Sequence, residues 1–527
     1  MLPLRLPFFC LVLIALLTFN FIGCSSGDDD DDDNDDNTPD DNDDDDNDTV
    51  DDDDDDDTGD DDNDTGDDDT AGEDYYYAPA PGDDIGVFVS AATGNDQNPG
   101  TMAAPVQSIQ AGIDLAQATG KVVFVARGEY KEYLDTGVSL FGGYRETDWA
   151  RDLENFITSI ISPFNTNLRM AGGGKAERQI LEGLHIKGGN RFNIGYENNW
   201  LAPGVMVSRN ETVIARCEVI GGVLLDYGMW NYAESVGIYL DPSVVSAKIA
   251  DCTIAGGLVH GLLATVASTG VNVNCPTGQV RMLRNHISTA FVNSELDETG
   301  VNGVRIQAGE ATLSQNHIVA GPLPTDNLAY GLLHPAAVYV DSAASLTAIN
   351  NLFVTHPLEI ATGVWARGPV VLVGNTFVTD GTWTSRGVYL GGDYGLLVNN
   401  IFHIGNADDS IGISVSGGTS VTLIANDFYI KNLIKKFVEV DPIPVLNLNM
   451  LNQCNWPGCQ QAQGNIGEDP GFVGLSDYHL APGSPCIDRG ADASVWFDEP
   501  EIYIDFDGDA RPQGEGWDIG FDEVLAR

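Results

Sequence analysis

From residue 183 onward, short apolar segments recur in two interleaved series, and no other feature of the chain restricts its fold so severely. The first series reads GLHI (183–186), RCEV (216–219), DCTI (251–254), RNHI (284–287), QNHI (315–318), NNLF (350–353), GNTF (374–377), NNIF (399–402) and ANDF (425–428). Its final apolar residues are spaced by 33, 35, 33, 31, 35, 24, 25 and 26. The second reads GVMV (204–207), GIYL (237–240), GLLA (261–264), GVRI (303–306), AVYV (337–340), GVWA (363–366), GVYL (387–390) and GISV (412–415). One such unit cannot bury its apolar face alone, so successive units must stack as coils of a solenoid. Both series alternate, are rich in β-branched residues and lack helical periodicity, which predicts at least two strands per coil, each paired in parallel with its counterpart in the next coil.

Strand alternation then sets the phase. With the final Ile, Val or Phe pointing inward, the residue two before it also points inward: Leu184, Cys217, Cys252, then Asn285, Asn316, Asn351, Asn375, Asn400 and Asn426. Stacked asparagines in an interior need hydrogen bonds, which they can supply to one another along the axis, so they read as a structural ladder and not as a catalytic site. The joints after this strand are long, at 187–203, 220–236, 288–302 and 319–336, whereas the opposite joint is tight except at 265–278. Equivalent joints stack, so the insertions build one edge of the rod, where function is expected.

The pattern resembles the right-handed parallel β-helix of the pectate-lyase-like kind. The segment VFVSAATGNDQNPGTMAAPVQSIQAGIDLAQATGKVVFVARGEY (87–130) carries Val106, Ile109, Ile113 and Ala116 at helical spacing between two strands. It resembles the N-terminal module of unknown function that opens many extracellular β-helix proteins, as does VSLFGGYRETDWARD (138–152) after it. The tail, EDPGFVGLSDYHLAPGSPCIDRGAD (468–492) with IDFDGDARPQGEGWDIGFDE (504–523), is similar to the terminal portion of such bacterial surface proteins. The fold class is therefore all-β: a single right-handed parallel β-helix with an N-terminal helical cap, preceded by a disordered acidic linker. The expected divisions are 1–23 signal peptide, 24–74 tether, 75–152 N-terminal cap module, 153–440 coils, and 441–527 C-terminal coils and cap.

The start of the chain predicts export. Arg5 precedes an apolar run from Phe8 to Ile22, short for a membrane span, and then Gly23-Cys24. Phe21-Ile22-Gly23-Cys24 resembles a bacterial lipobox, although Phe21 replaces the usual leucine; the resemblance implies lipidation (palmitate or a like acyl chain) at Cys24. Ser25, Ser26 and the following acidic run resemble outer-membrane and surface sorting signals of Gram-negative lipoproteins. Residues 28–69 contain 29 Asp and no Lys or Arg, a composition that repels itself and predicts an extended spacer. Of the whole-chain charge of −55, that tract carries 29 units, and the residues after Tyr75 have 49 acids against 24 bases. The body is thus mildly acidic, which disfavours nucleic acid and uronate partners and leaves neutral sugars and cations open.

Among the cysteines, Cys454 and Cys459 in CNWPGC are the expected disulfide. Cys217 and Cys252, stacked on neighbouring coils, could form another or remain two buried thiols. No cofactor is required. Calcium is considered only at Asp505, Asp507 and Asp509, where a structural turn with Arg511 paired to an acid is the competing reading. The early insertions RFNIGYENNW (191–200) and DYGMWNYAE (226–234) bring Tyr196, Trp200, Tyr227, Trp230 and Tyr232 near Asp226 and Glu234. Aromatic faces among acids and amides suit a sugar ring; equally, these rings could pack the insertions onto the rod. A glycosidase needs two facing carboxylates, which Asp226 with Glu234, or Glu295 with Asp297, would supply only through tertiary placement. The preferred reading is a membrane-anchored lipoprotein displaying a β-helix that binds a neutral glycan or another envelope protein. A polysaccharide lyase or glycoside hydrolase on the same scaffold is the alternative, and a structural envelope component the third.

Overall fold

The computed structural model describes residues 78–171, 178–193, 200–290, 292–294, 299–321, 333–497 and 499–524. The signal segment, Cys24 and the tether lie outside the described residues, as do Tyr196, Glu295, Asp297 and the side chains of Asp226, Tyr227 and Trp230.

The body is an all-β parallel β-helix, and each coil contributes three strands. Sheet 1 holds the asparagine series, as in His286–Ser288, His317–Ala320 and Ile401–Ile404. Sheet 2 holds the second series. Sheet 3 runs immediately before the asparagine strand, as in Glu211–Ala215, Ser246–Ala250, Val370–Val373 and Ser420–Ile424. Each of these strands pairs in parallel with its counterpart one coil away. In the coil containing Cys252, Gly270–Val273 and not Gly261–Ala264 belongs to sheet 2, because Ile238 pairs with Val271 and Val271 with Val304. With that shift, the unusually long joint expected at 265–278 largely disappears.

Sheets 3 and 1 meet at a corner made by one residue in the left-handed region: Arg216, Asp251, Arg284, Gln315, Asn350, Gly374, Asn399 and Ala425 all have φ between 49° and 64°. Such a corner reverses the chain within one residue, and it places the following Cys or Asn side chain inside. The Oδ1 atom of each asparagine accepts the backbone N–H and the side-chain amide of the rung before it, at 2.8–3.0 Å from Asn285 through Asn426. Asn465 and then Asn452 continue the ladder beyond the sequence series. Beside it, Phe353, Phe377, Phe402 and Phe428 stack with centroids 4.9–5.0 Å apart.

Cys217 and Cys252 occupy ladder rungs as free thiols, so no disulfide joins them. Their side chains leave the backbone in parallel, and each serves its own rung: Cys217 N–H donates to Cys252 Sγ at 3.4 Å, and the thiols lie 3.2 and 3.1 Å from the carbonyls of Ala215 and Ala250. Cys454 and Cys459 do form a disulfide.

From Gly86 onward, the strands of the N-terminal segment pair directly into the stack. Gly86–Val89 pairs with Val122–Ala126, which pairs with Leu140–Tyr144, which pairs with Gln179–Glu182, so this segment supplies the first coils. The helix α1 (Ile109–Thr119) starts at Ser108, whose side chain accepts Ala111 N–H, and stops at left-handed Gly120. Glu132 receives two further N–H groups of its first turn, from Ile109 and Gln110. Ile109, Ile113 and Ala116 are buried in the main core against the first strands, the covering that an open coil stack requires.

At the other end, Val445, Leu451, Trp456 and Ala462 join the main core. The segment after them, beginning near residue 468, does not continue the stack but returns along the corner between sheets 3 and 1. Asn399 exchanges two 2.8 Å bonds with Ala491, Asn350 Nδ2 donates to the carbonyls of Glu501 and Ile504, Gln315 reaches the carbonyl of Asp505, and Arg281 pairs with Glu501. Arg511, fully enclosed, binds Glu523 at 3.0 Å and Asn350 Oδ1 at 2.7 Å. The corner at Gly374 must be glycine: beyond its φ of 64°, a Cβ there would lie 2.2 Å from Asn350 Oδ1 and 3.0 Å from Arg511 Nη1.

Candidate functional site

Where they are described, the long joints are strands and not loops laid on the rod. They prolong the strands into a flange of two further parallel layers. Arg191–Asn193 pairs with Leu224–Asp226, then Val259–Gly261, then Val292–Ser294. The returning strands pair from Trp200 through Ala233 and Val266 to Thr299 and run straight on into sheet 2. Between the layers, Ala202, Leu224, Ala233, Val259, Val266, Val292 and Val301 form a small second core, with Trp200 packed against it. Trp200 is thus partly buried against the flange core.

Tyr232 and Glu234 fall on the other side of the returning layer, on a surface continuous with the outward face of sheet 2. Strand register places Tyr239, Asn272, Arg305, Tyr339, Trp365, Tyr389, Ser414 and Glu439 in one column on that face. Their neighbours on either side, such as Val304 and Ile306 or Val388 and Leu390, point into the core. Sequence reasoning passed over this column. Part of the signal was available in the third letter of the second series, which reads Y, L, R, Y, W, Y from Tyr239 to Tyr389 and becomes Y, N, R, Y, W, Y once Gly270–Val273 replaces Gly261–Ala264.

Two clusters organise the column. Around Arg305, the guanidinium lies over the rings of Tyr232 and Tyr339, 5.5 and 5.9 Å from their centroids, and hydrogen-bonds the Tyr232 hydroxyl. Glu234 is buried beside it. Thr269 Oγ1 donates to it at 2.5 Å, Asn272 Nδ2 donates at 3.0 Å, and Arg305 Nη1 stands 3.9 Å away. Burial raises the Glu234 carboxyl above the ordinary glutamate value, with Arg305 the largest opposing influence. Farther along, Trp365 and Tyr389 stack at 4.4 Å, and Arg386 lies over both while its Nε donates to Ser414 Oγ at 2.8 Å. At the end of the column, Lys436 bridges Asp409 and Glu439 at 2.6 and 2.8 Å.

Charges on this face are thus matched locally: Arg305 answers Glu234, and Lys436 together with Arg386 answers Asp409 and Glu439. The ring faces of the Trp365–Tyr389 stack are covered by each other and by Arg386, so their edges face outward. Trp383, in the same strand as Tyr389, is the ring with an open face, 52% exposed. The column thus brings aromatic rings and guanidinium groups together on one face.

The three acids of the calcium expectation do not converge. Asp505 is buried, and its carboxylate accepts the N–H groups of Asp507, Asp509 and Glu523 at 2.8–3.0 Å, which makes a turn. Asp509 is exposed, and Asp507 turns instead toward His479, 2.9 Å away. On sheet 1, His286 and His317 meet edge to face with their Nδ1 atoms 3.2 Å apart, and burial pushes His317 down to about 4 and lowers His286.

No protein-family model and no curated protein matches the chain. Among solved structures, the crystal structure of the pectate lyase Pel9A is similar, with a TM-score of 0.45 and 12% sequence identity, covering 83% of this chain and 96% of that one.

Proposed function

We propose that the folded body binds a neutral glycan along the outward face of sheet 2, and that the first 74 residues export it, anchor it through a lipid on Cys24 and hold it away from an outer membrane. The observation that supports this reading is the column of Tyr239, Arg305, Tyr339, Trp365 and Tyr389 beside the flange, with its charges balanced and Trp383 open. Local neutrality speaks against an anionic polysaccharide, which would need surplus cations. The acidic tract gives the anchor its reach: about 45 residues at roughly 3.4 Å each span on the order of 150 Å when stretched.

A second reading, hydrolysis of the bound glycan, is favoured by one observation. Glu234, whose carboxyl burial raises, is held by Thr269 and Asn272 beside Arg305 and would have to be uncovered, since it is 1% exposed, before it could act as a general acid. It would need a second carboxylate at about 5–10 Å across the sugar.

Glycan-array binding of the full chain, run with a reducing-sugar release assay, tests both. Trp365→Ala and Trp383→Ala should each weaken binding at least tenfold. Sugar release abolished by Glu234→Gln would replace binding alone with hydrolysis. If no glycan is bound or cut, the partner is another envelope protein or none, and the glycan reading fails.

A further inference from the structure

Three separate pieces of the returning tail meet at His479, Asp507 and Asp522. One ligand atom from each lies within 4.8 Å of the other two. Their arrangement is directional. His479 Nδ1 is 2.5 Å from Asp477 Oδ1, which leaves Nε2 as the nitrogen that faces Asp507 and Asp522. Nε2 lies 2.9 Å from Asp507 Oδ2, yet it is buried with no hydrogen-bond partner among the described residues, because the oxygen sits off the axis on which the ring nitrogen donates or accepts. A ring nitrogen and a carboxylate oxygen held this close call for a positive charge at the site, either a proton on the imidazole or a cation between the groups. Asp522 is fixed from behind, its Oδ2 accepting Leu480 N–H at 2.7 Å, and the His479 ring rests edge-on against Phe521. Nearby Arg511 cannot supply the charge, since its donors are spent on Glu523, Asn350, Gly520 and Asp518.

We propose that His479, Asp507 and Asp522 bind one first-row divalent cation of the zinc class, with Asp477 as the carboxylate that orients the imidazole. Ligand atoms about 2 Å from such an ion stand roughly 3–4 Å from one another, a spacing the three residues accommodate. The donor set selects the metal. An imidazole nitrogen with two carboxylates suits zinc or its neighbours, whereas calcium takes six to eight oxygens. A carboxylate behind the ring is the usual partner of a metal-bound histidine. The ion would join residues 477–480, the 505–509 turn and the 522 region, closing the tail on itself while it lies against the coils.

The test is zinc titration of the full chain after chelator treatment, by calorimetry and by metal analysis. His479→Gln is the reference, because it retains the acidic tract and therefore its loose cation binding. One tight equivalent should appear in the native chain, be weakened at least tenfold by His479→Gln and Asp507→Asn, and be unchanged by Asp509→Asn. Zinc should also slow proteolysis of the tail in the native chain and not in His479→Gln, and a hundredfold excess of calcium should not displace it. Asp507 is exposed, so Asp507→Asn reports even if His479→Gln fails to fold. Identical isotherms for native and His479→Gln would overturn the proposal, leaving a protonated imidazole bridging Asp477 and Asp507. Equal competition by calcium, or loss of binding in Asp509→Asn, would overturn it as well.

Discussion

Asn375 is the rung at which the ladder is most easily tested. Its Oδ1 accepts Asn351 N–H at 3.0 Å and Asn351 Nδ2 at 2.9 Å; its Nδ2 donates to Ala348 O at 2.8 Å, Val373 O at 3.1 Å and Asn400 Oδ1 at 3.0 Å. All of this occurs at 0% exposure, so no water replaces what is lost. Two accepted bonds and two donated ones, one Nδ2 proton being shared between two acceptors, at about 1 kcal/mol each, with some buried orphans left, put Asn375→Ala at about 4 kcal/mol. Asn375→Cys copies the natural rungs at Cys217 and Cys252 and keeps a weak acceptor for Asn351 N–H, so it should cost about half as much. Urea unfolding measures the total. Hydrogen exchange at Asn351 N–H measures it locally, which matters in a stacked fold where distant coils can open independently. A loss below about 1.5 kcal/mol for the alanine variant, or equal losses for alanine and cysteine, would show that the shape of the corner and not the amide chain holds the coils in register.

Other outcomes follow from single residues. Burial pushes the Asp427 carboxyl up to about 7, so between 3.8 and about 7 the folded chain holds a proton that the unfolded chain releases. Stability from this residue therefore falls as pH rises through that window, and Asp427→Asn should flatten the fall in a series of thermal melts. Arg305→Ala leaves Glu234 buried without its cation and should destabilise by about 3–5 kcal/mol near neutral pH, less at acid pH where Glu234 is protonated; chemical denaturation at two pH values reads the difference. Reducing the Cys454–Cys459 bond, which closes a short loop of sequence separation 5, should lower stability by only about 2 kcal/mol. That change should be visible as a modest drop in melting temperature confined to the C-terminal end.

Much of the architecture was legible because it repeats. The inward Asn and Phe positions follow from period and alternation alone, and the stack they imply is the stack observed. The third sheet was hidden for a physical reason. Its strands reach the asparagine strand through one left-handed residue that is often Arg, Asp or Gln, as at Arg216, Asp251 and Gln315, so strand, corner and strand read as one uninterrupted run. The mistaken use of Gly261–Ala264 has a related cause: the flange is itself β-structure with the same Gly-and-apolar signature as the rod. The aromatic insertions drew attention because they are conspicuous in sequence, yet Trp200 is partly buried against the flange core. The column from Tyr239 to Tyr389 is spread over distant segments that only register brings together. The His479, Asp507 and Asp522 cluster was out of reach for the same reason, since adjacent Asp505 and Asp509 advertise the turn more loudly than the residue that leaves it.

The returning tail also acts as a ruler. Its contacts at Arg281 on sheet 3 and at the corners Gln315, Asn350 and Asn399 fall on coils stacked about 4.8 Å apart, with the Gly374 corner lying between Asn350 and Asn399. A solenoid has no intrinsic length, since one more coil would stack as well as the previous one. Here, a duplicated coil between Gln315 and Asn399 would shift every later corner out of step with the strip that grips it. Coils can be gained or lost freely only ahead of Arg281, so variation in the length of this rod is expected toward its N-terminal half, with the part under the tail kept at a fixed count.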